Sequence, residues 1–324
     1  MTVANSARAA AVPVAGAGVP NLSSPPARAG RKDARGWRNL IWVLPAIGLL
    51  AAFVYLPLVQ NLGFSVLEWD IYSGGQTFVG AENYARMFED PIFWKSVVNN
   101  LWYAGISIVF QVFGALALAA LIEGLRSDRW RRTLRAVYFI PSAVSLTVAG
   151  LLFYFIYEPQ MGILNAALDG AGIGQFTQAW LGQENTAIFG IIAMSQWQGF
   201  GYCTLLFAVA LQRIPTELYE AAAIDGVGPF RRFFSISLPL VREMSSLMMI
   251  VTVSGAFQVF NEVMVMTGGG PNNSSQVLGT WLYRSGFVKN DFGYASAIAT
   301  AIFVITLSLA VLQLWYSRRR RVEW

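Results

Sequence analysis

The chain has 324 residues, 55% of them hydrophobic and only 13% charged, with a mean hydropathy of +0.49, which is more apolar than a soluble core of this size needs. It contains no histidine, and this excludes imidazole proton relays, His metal sites and His-dependent triads. The net charge of +5 is spread over segments that flank apolar runs, so no folded basic domain is offered to nucleic acid.

Residues 1–36 are mainly Ala, Pro, Gly and Ser, with Pro13 and Pro20 breaking any apolar helix. They read as a disordered tail and not as a cleaved signal peptide. A bilayer core of roughly 30 Å takes about 20 apolar residues per helix. Uncharged runs of this kind lie at 40–64, 97–122, 136–157, 186–212, 244–261 and 292–317. They predict an all-α integral membrane protein with six transmembrane helices within residues 37–317. The first is an uncleaved anchor, with Pro45 and Pro57 as kinks that a membrane helix tolerates. Cys203 is the sole cysteine; it permits no disulfide within the chain and reads as a buried packing residue. The segments 67–95, 158–185 and 267–291 are too short to hold a catalytic domain.

Of the 23 Lys and Arg residues, all but Arg86, Lys95, Arg284 and Lys289 fall on one side of these runs. The positive-inside rule therefore puts both termini in the cytoplasm, together with the loop 213–242 and a basic tail at 318–324.

Polar residues at mid-membrane are costly and are more often functional than in soluble cores. The fourth run contains SQWQGFGY, in which Ser195, Gln198, Gly199 and Tyr202 share one helical face. Hydroxyl, amide and ring at that spacing suit a sugar, whose rim forms hydrogen bonds while its C–H face stacks on an aromatic. In the fifth run the polar face is Ser254, Gln258, Asn261 and Glu262, residue types equally suited to bridging neighbouring helices.

Between the fourth and fifth runs stands ELYEAAAIDGVGPFRRFFSISLPL, residues 217–240. Thr216 is a candidate N-cap, Glu217 and Glu220 complement the helix dipole, and Gly226 stands where a left-handed residue would end the helix. The alanines leave a narrow face, which serves either for close insertion into a groove or as an ordinary connector.

Glu220, Ala221, Ala222, Asp225 and Gly226, followed by Phe230, Ile236, Leu238 and Pro239, resemble the EAA loop of permease subunits in bacterial binding-protein-dependent ABC importers. Phe78-Val79-Gly80 with Asn83-Tyr84, Leu211 to Pro215, and Thr267-Gly-Gly-Gly-Pro271 are similar to the sugar branch that includes the maltose transporter. Val227 and Glu243 depart from the usual Ala and Pro of that pattern. The resemblance implies the type I ABC importer permease fold, with residues 220–226 on a cytoplasmic coupling helix that docks on an ATP-binding subunit. It also implies a second homologous permease, two ATP-binding subunits that hold ATP and Mg, and a periplasmic or lipid-anchored solute-binding protein. A saccharide would be the substrate, with glycerol phosphate or another polyol derivative as the alternative. The chain itself would hydrolyse nothing, and the glycines at 268–270 precede Pro271-Asn272-Asn273 and lack the lysine of a phosphate loop. Among substrate contacts the resemblance implies Ser195, Gly199 and Tyr202, and Thr252, Ala256 and Val259, a different face of the fifth run from the polar one. A stand-alone channel or membrane enzyme finds less support: the runs hold no clustered acids, and only Glu262 lies near a span interior.

Overall fold

The computed structural model describes residues 35–69 and 74–318. The expected tail over 1–36 lies outside the described residues, except for Arg35 and Gly36, which already open the first helix; of the expected basic tail, only Arg318 is described, as the end of the last helix. The chain divides into two compact units, up to Val54 and from Tyr55 onward. The first is α1 (Arg35–Leu50), with Pro45 in its interior, passing into a π-helical turn at Ala51–Tyr55. Trp42 and Phe53 are 85% and 75% exposed on it, an arrangement suited to hydrocarbon and not to water.

The second unit begins with α2 (Leu56–Phe64) and a hairpin in which β1 (Leu67–Trp69) pairs antiparallel with β2 (Gln76–Phe78), Leu67 opposite Phe78. This hairpin corrects the all-α expectation; Trp69, Thr77 and Phe78 are strand-favouring residues in a segment too short for a packed helix. α3 (Glu82–Glu89) and α4 (Pro91–Ser107) follow, the Asp90 carboxylate accepting from the Ile92 N–H at 2.8 Å and Pro91 filling the first helical position. α4 continues through a π-helical stretch at Ile108–Gly114 into α5 (Ala115–Glu123).

The expected third span is not one helix. α6 (Asp128–Phe139) ends in a 3₁₀ turn at Ile140–Ala143, and α7 (Leu146–Ile156) leaves at 91° to it. Pro141 cannot donate to a continuing helix, and the end of α6 seats on α9 (Ala187–Leu211) at Gly201, where a Cβ would lie 1.7 Å from the Tyr138 carbonyl oxygen. α8 (Ile163–Gly170) lies in the connection between α7 and α9.

After α9 come α10 (Thr216–Ile224), α11 (Pro229–Arg232), a π-helical turn at Phe233–Ser237 and α12 (Leu238–Leu240). α13 (Arg242–Phe257) then turns away by 72°. The expected fifth span is also interrupted: α13 stops at Phe257, and α14 (Asn261–Met266) starts after a break at residues 258–260. α15 (Leu278–Tyr283), a π-helical turn at Arg284–Val288 and α16 (Phe292–Arg318) complete the chain.

Among the described residues, Trp42–Phe64, Pro91–Glu123 and Phe292–Tyr316 are long and apolar enough to cross a bilayer, and the two bent pairs raise the number to five at most. α9 has 25 residues and rises about 37 Å, enough to span; its polar centre keeps it from being uniformly apolar. Two apolar clusters hold the second unit together. One gathers Ile191, Met194, Phe257, Val263, Val277, Leu278 and Ile298. The other gathers Val112, Leu116, Phe207 and Ala208 around Cys203, a free, buried thiol.

Candidate functional site

The polar centre of α9 is pinned from two sides. On one, the Ser142 hydroxyl donates to the Gln198 carbonyl at 2.6 Å and accepts from the Tyr202 N–H at 3.0 Å, so that it bridges the two ends of one helical turn. The Gln198 amide in turn donates to the Val144 carbonyl at 3.0 Å. On the other side, Gln111 of the π-helical stretch donates to the Gln196 side chain at 3.1 Å, and Gln196 donates to Ser107 at 3.0 Å. Gly199 faces this pair: a Cβ there would stand 2.9 Å from the Gln111 amide nitrogen, so a larger residue would push the Gln111 side chain aside.

The four expected residues of α9 therefore do not share one environment. Ser195 is buried against Tyr103, Gln198 and Gly199 are half-buried, and Tyr202 is 50% exposed, with Trp197 also open. Sequence reasoning missed Ser107, Gln111, Ser142 and Gln196; the signal for Gln111 was an uncharged amide in the second apolar run, about three turns after Asn99 and Asn100, whereas Ser142 carries none.

On the fifth segment the break separates residues that a continuous helix would have aligned. Gln258 and Asn261 are exposed at either end of it, and Ser254 is half-buried. Thr252, Ala256 and Val259 are buried inside the chain. Glu262 is buried too, at 6% exposure, and accepts from the Tyr103 hydroxyl at 2.7 Å. The single polar face expected from Ser254 to Glu262 is thus corrected: Gln258 and Asn261 open outward and Glu262 turns in, because α13 ends before them and α14 starts afresh.

The EAA segment forms a helix and a glycine turn. α10 opens at Thr216, with Pro215 as its last extended residue (ψ 134°) and no side-chain cap, which moves the expected N-cap by one position. At the other end Gly226 has φ +70°, the Val227 N–H reaches the Ala222 carbonyl at 2.9 Å, and the Gly226 N–H reaches that of Ala223 at 3.1 Å. This pair of bonds is a Schellman cap, the use of glycine that the pattern implied. Tyr219 and Ala222 face the chain, the Tyr219 hydroxyl meeting Ser237 at 3.1 Å and Ala222 being 7% exposed. Glu220, Ala221 and Asp225 face outward, as does Ile224 at 88% exposure, with Phe230 at 77% beyond the turn. Ala222 thus belongs to the side that supports the outward face.

Residues 111–322 match the family described as binding-protein-dependent transport system inner membrane component. The chain belongs to this family. Among its relatives, the probable ABC transporter permease YurN of Bacillus subtilis is 46% identical over 87% of this chain and 97% of that protein. The diacetylchitobiose uptake system permease NgcF of Streptomyces coelicolor is 33% identical over 82% and 78%. The sn-glycerol-3-phosphate transport system permease UgpA of Yersinia pestis is 32% identical over 88% and 95%. A crystal structure of a bacterial alginate ABC transporter, in complex with an alginate pentasaccharide-bound periplasmic protein, matches with a TM-score of 0.78 over 88% of this chain and 95% of that one, at 21% identity. The fold is that of a type I ABC importer permease. The permease is a transport subunit, and in this family ATP hydrolysis belongs to separate subunits.

Proposed function

We propose that this permease forms half of the translocation path for a saccharide handed over by a solute-binding protein, the other half coming from a second permease. The observation that carries the saccharide reading is the centre of α9, where Trp197 and Tyr202 are exposed on either side of the half-buried Gln198 amide, on a helix with no charged residue. Rings and amides suit the faces and rim of a neutral sugar. Gln258 and Asn261, open at the break in the fifth segment, complete the proposed lining, while Gly199 lets Gln111 approach α9 behind it. Interrupted membrane helices are a recurrent place for substrate sites. Ser195, Thr252 and Glu262 act behind this lining as supports.

In the proposed arrangement the chain crosses the inner membrane six times, counting α9 and both bent pairs as spans, with both termini in the cytoplasm. The outward face of α10, Glu220, Ala221, Ile224 and Asp225 with the Gly226 turn, docks on one of two ATP-binding subunits, where ATP and Mg are held. Exposed Ile224 and Phe230 supply the apolar contact that such a joint needs. The likeness to UgpA favours a second reading, a polyol phosphate, against which stands the lack of Lys or Arg on α9. Calorimetry with the solute-binding protein of the same transport system tests the choice: tight binding of a neutral saccharide is expected, and binding of glycerol phosphate alone would reverse the assignment.

A further inference from the structure

One edge of α4 and of the π-helical stretch after it carries Asn99, Asn100, Tyr103, Ser107 and Gln111, spaced to fall along one side of a helix. Together they reach four parts of the molecule: the loop after the three glycines, the junction of α13 and α15, the start of α14, and the centre of α9. The Asn99 amide donates to the carbonyls of Ser274 and Gln276, both at 2.7 Å, and so holds the loop that follows the three glycines. The Asn100 amide donates to the Ala256 carbonyl at 2.6 Å, and its oxygen accepts from the Leu278 N–H at 2.9 Å. One side chain thereby ties the end of α13 to the start of α15. Tyr103 donates to Glu262, just past the break, and also meets Ser195 of α9. Ser107 and Gln111 both engage Gln196 of α9. Asn99, Asn100, Tyr103, Ser107 and Gln196 are all buried.

We propose that this polar edge is a coupling spine: it makes the loop at residues 272–276, the break in the fifth segment and the centre of α9 move together, so that seating of the loaded binding protein is felt at the substrate path. The inference rests on the permease reading above. Its physical basis is that buried amide and hydroxyl groups in a membrane have no water to turn to, so the segments they join shift as a unit or not at all. Apolar contacts alone would let the same helices slide. Asn99, Asn100 and Tyr103 are positioning residues in this scheme, since none touches the proposed lining from the open side.

The test uses the assembled transporter in nanodiscs, with ATPase turnover measured without and with saccharide-loaded binding protein. Tyr103→Phe keeps the ring and removes only the hydroxyl. It should assemble and leave basal turnover unchanged, while the ratio of stimulated to basal turnover falls at least about fivefold, the lower end of ordinary allosteric couplings. Asn99→Ala, which frees the loop, should lower the ratio in the same way. Glu262→Gln keeps an acceptor oxygen for the phenol and should retain it. An unchanged ratio in Tyr103→Phe, or its failure to assemble, would overturn the proposal, as would loss of the ratio in Glu262→Gln. Absence of stimulation in the wild-type transporter by any saccharide-loaded binding protein would instead sink the saccharide reading.

Discussion

Replacement of Gly226 isolates the contribution of one backbone angle to coupling. The residue has φ +70°, and a Cβ built on it meets nothing within 4 Å. The Cβ therefore meets no atom from elsewhere in the chain, and its cost is the local one of holding an L-residue in the left-handed region, roughly 1–2 kcal/mol. Since about 1.4 kcal/mol corresponds to a factor of ten, Gly226→Val should reduce the population of the capped turn by about an order of magnitude. The bonds from Val227 to Ala222 and from Gly226 to Ala223 would loosen with it, and the outward face of α10 would lose its fixed direction. Asparagine tolerates this region better than other residues, so the order Gly226, Gly226→Asn, Gly226→Ala, Gly226→Val should run from best to worst. The assay is co-purification of the ATP-binding subunit, with ATP-driven uptake in proteoliposomes. Equal coupling across the four proteins would refute the role of the turn; equal loss in Asn and Val would show that something other than φ governs the site.

Ile224→Asp alters a side chain that is 88% exposed and should detach the ATP-binding subunits without lowering the yield of folded permease. Ala222→Asp places a carboxylate at a 7% exposed position and should lower the yield itself, as an unpaired buried charge does. Tyr202→Ala should impair uptake while sparing assembly and basal ATPase activity, and normal transport kinetics would remove Tyr202 from the path. A cysteine at Gln183 should label from outside intact cells and one at Gly228 should not, both positions being exposed. A cysteine at Ser275, which is 0% exposed, should stay unlabelled on either side until the protein is denatured.

The sequence made the EAA segment legible in detail because its determinants are local: a helix, a turn glycine and their spacing are all read within about ten residues. The placement of Gly226 at positive φ follows from that pattern, and four of the six apolar runs match continuous helical stretches, at residues 42–64, 91–123, 187–211 and 292–316. The interruptions were harder to read. Pro141 offered a signal for the bend after α6, but Pro45 sits inside α1 without such a break, so proline alone does not decide. The break at residues 258–260 has no proline at all. It is stabilised by partners far away in the chain, Asn100 holding the Ala256 carbonyl and Val259 approaching Gly279 so closely that a Cβ there would stand 2.6 Å from the carbonyl oxygen. The burial of Glu262 and of Ala222 likewise depends on Tyr103 and on the packing under α10, neither of which has a sequence-local signature. Gly201 illustrates the same limit, since its need for hydrogen in place of a side chain appears only when Tyr138 is seen against it.

The most direct measurement is uptake of a labelled saccharide into proteoliposomes that contain this permease, the second permease and the ATP-binding subunits, with the solute-binding protein added outside and ATP enclosed. Accumulation should require ATP and the binding protein together and should fall sharply in Tyr202→Ala and Gly226→Val. Accumulation without ATP, or undiminished in both variants, would contradict the proposed function.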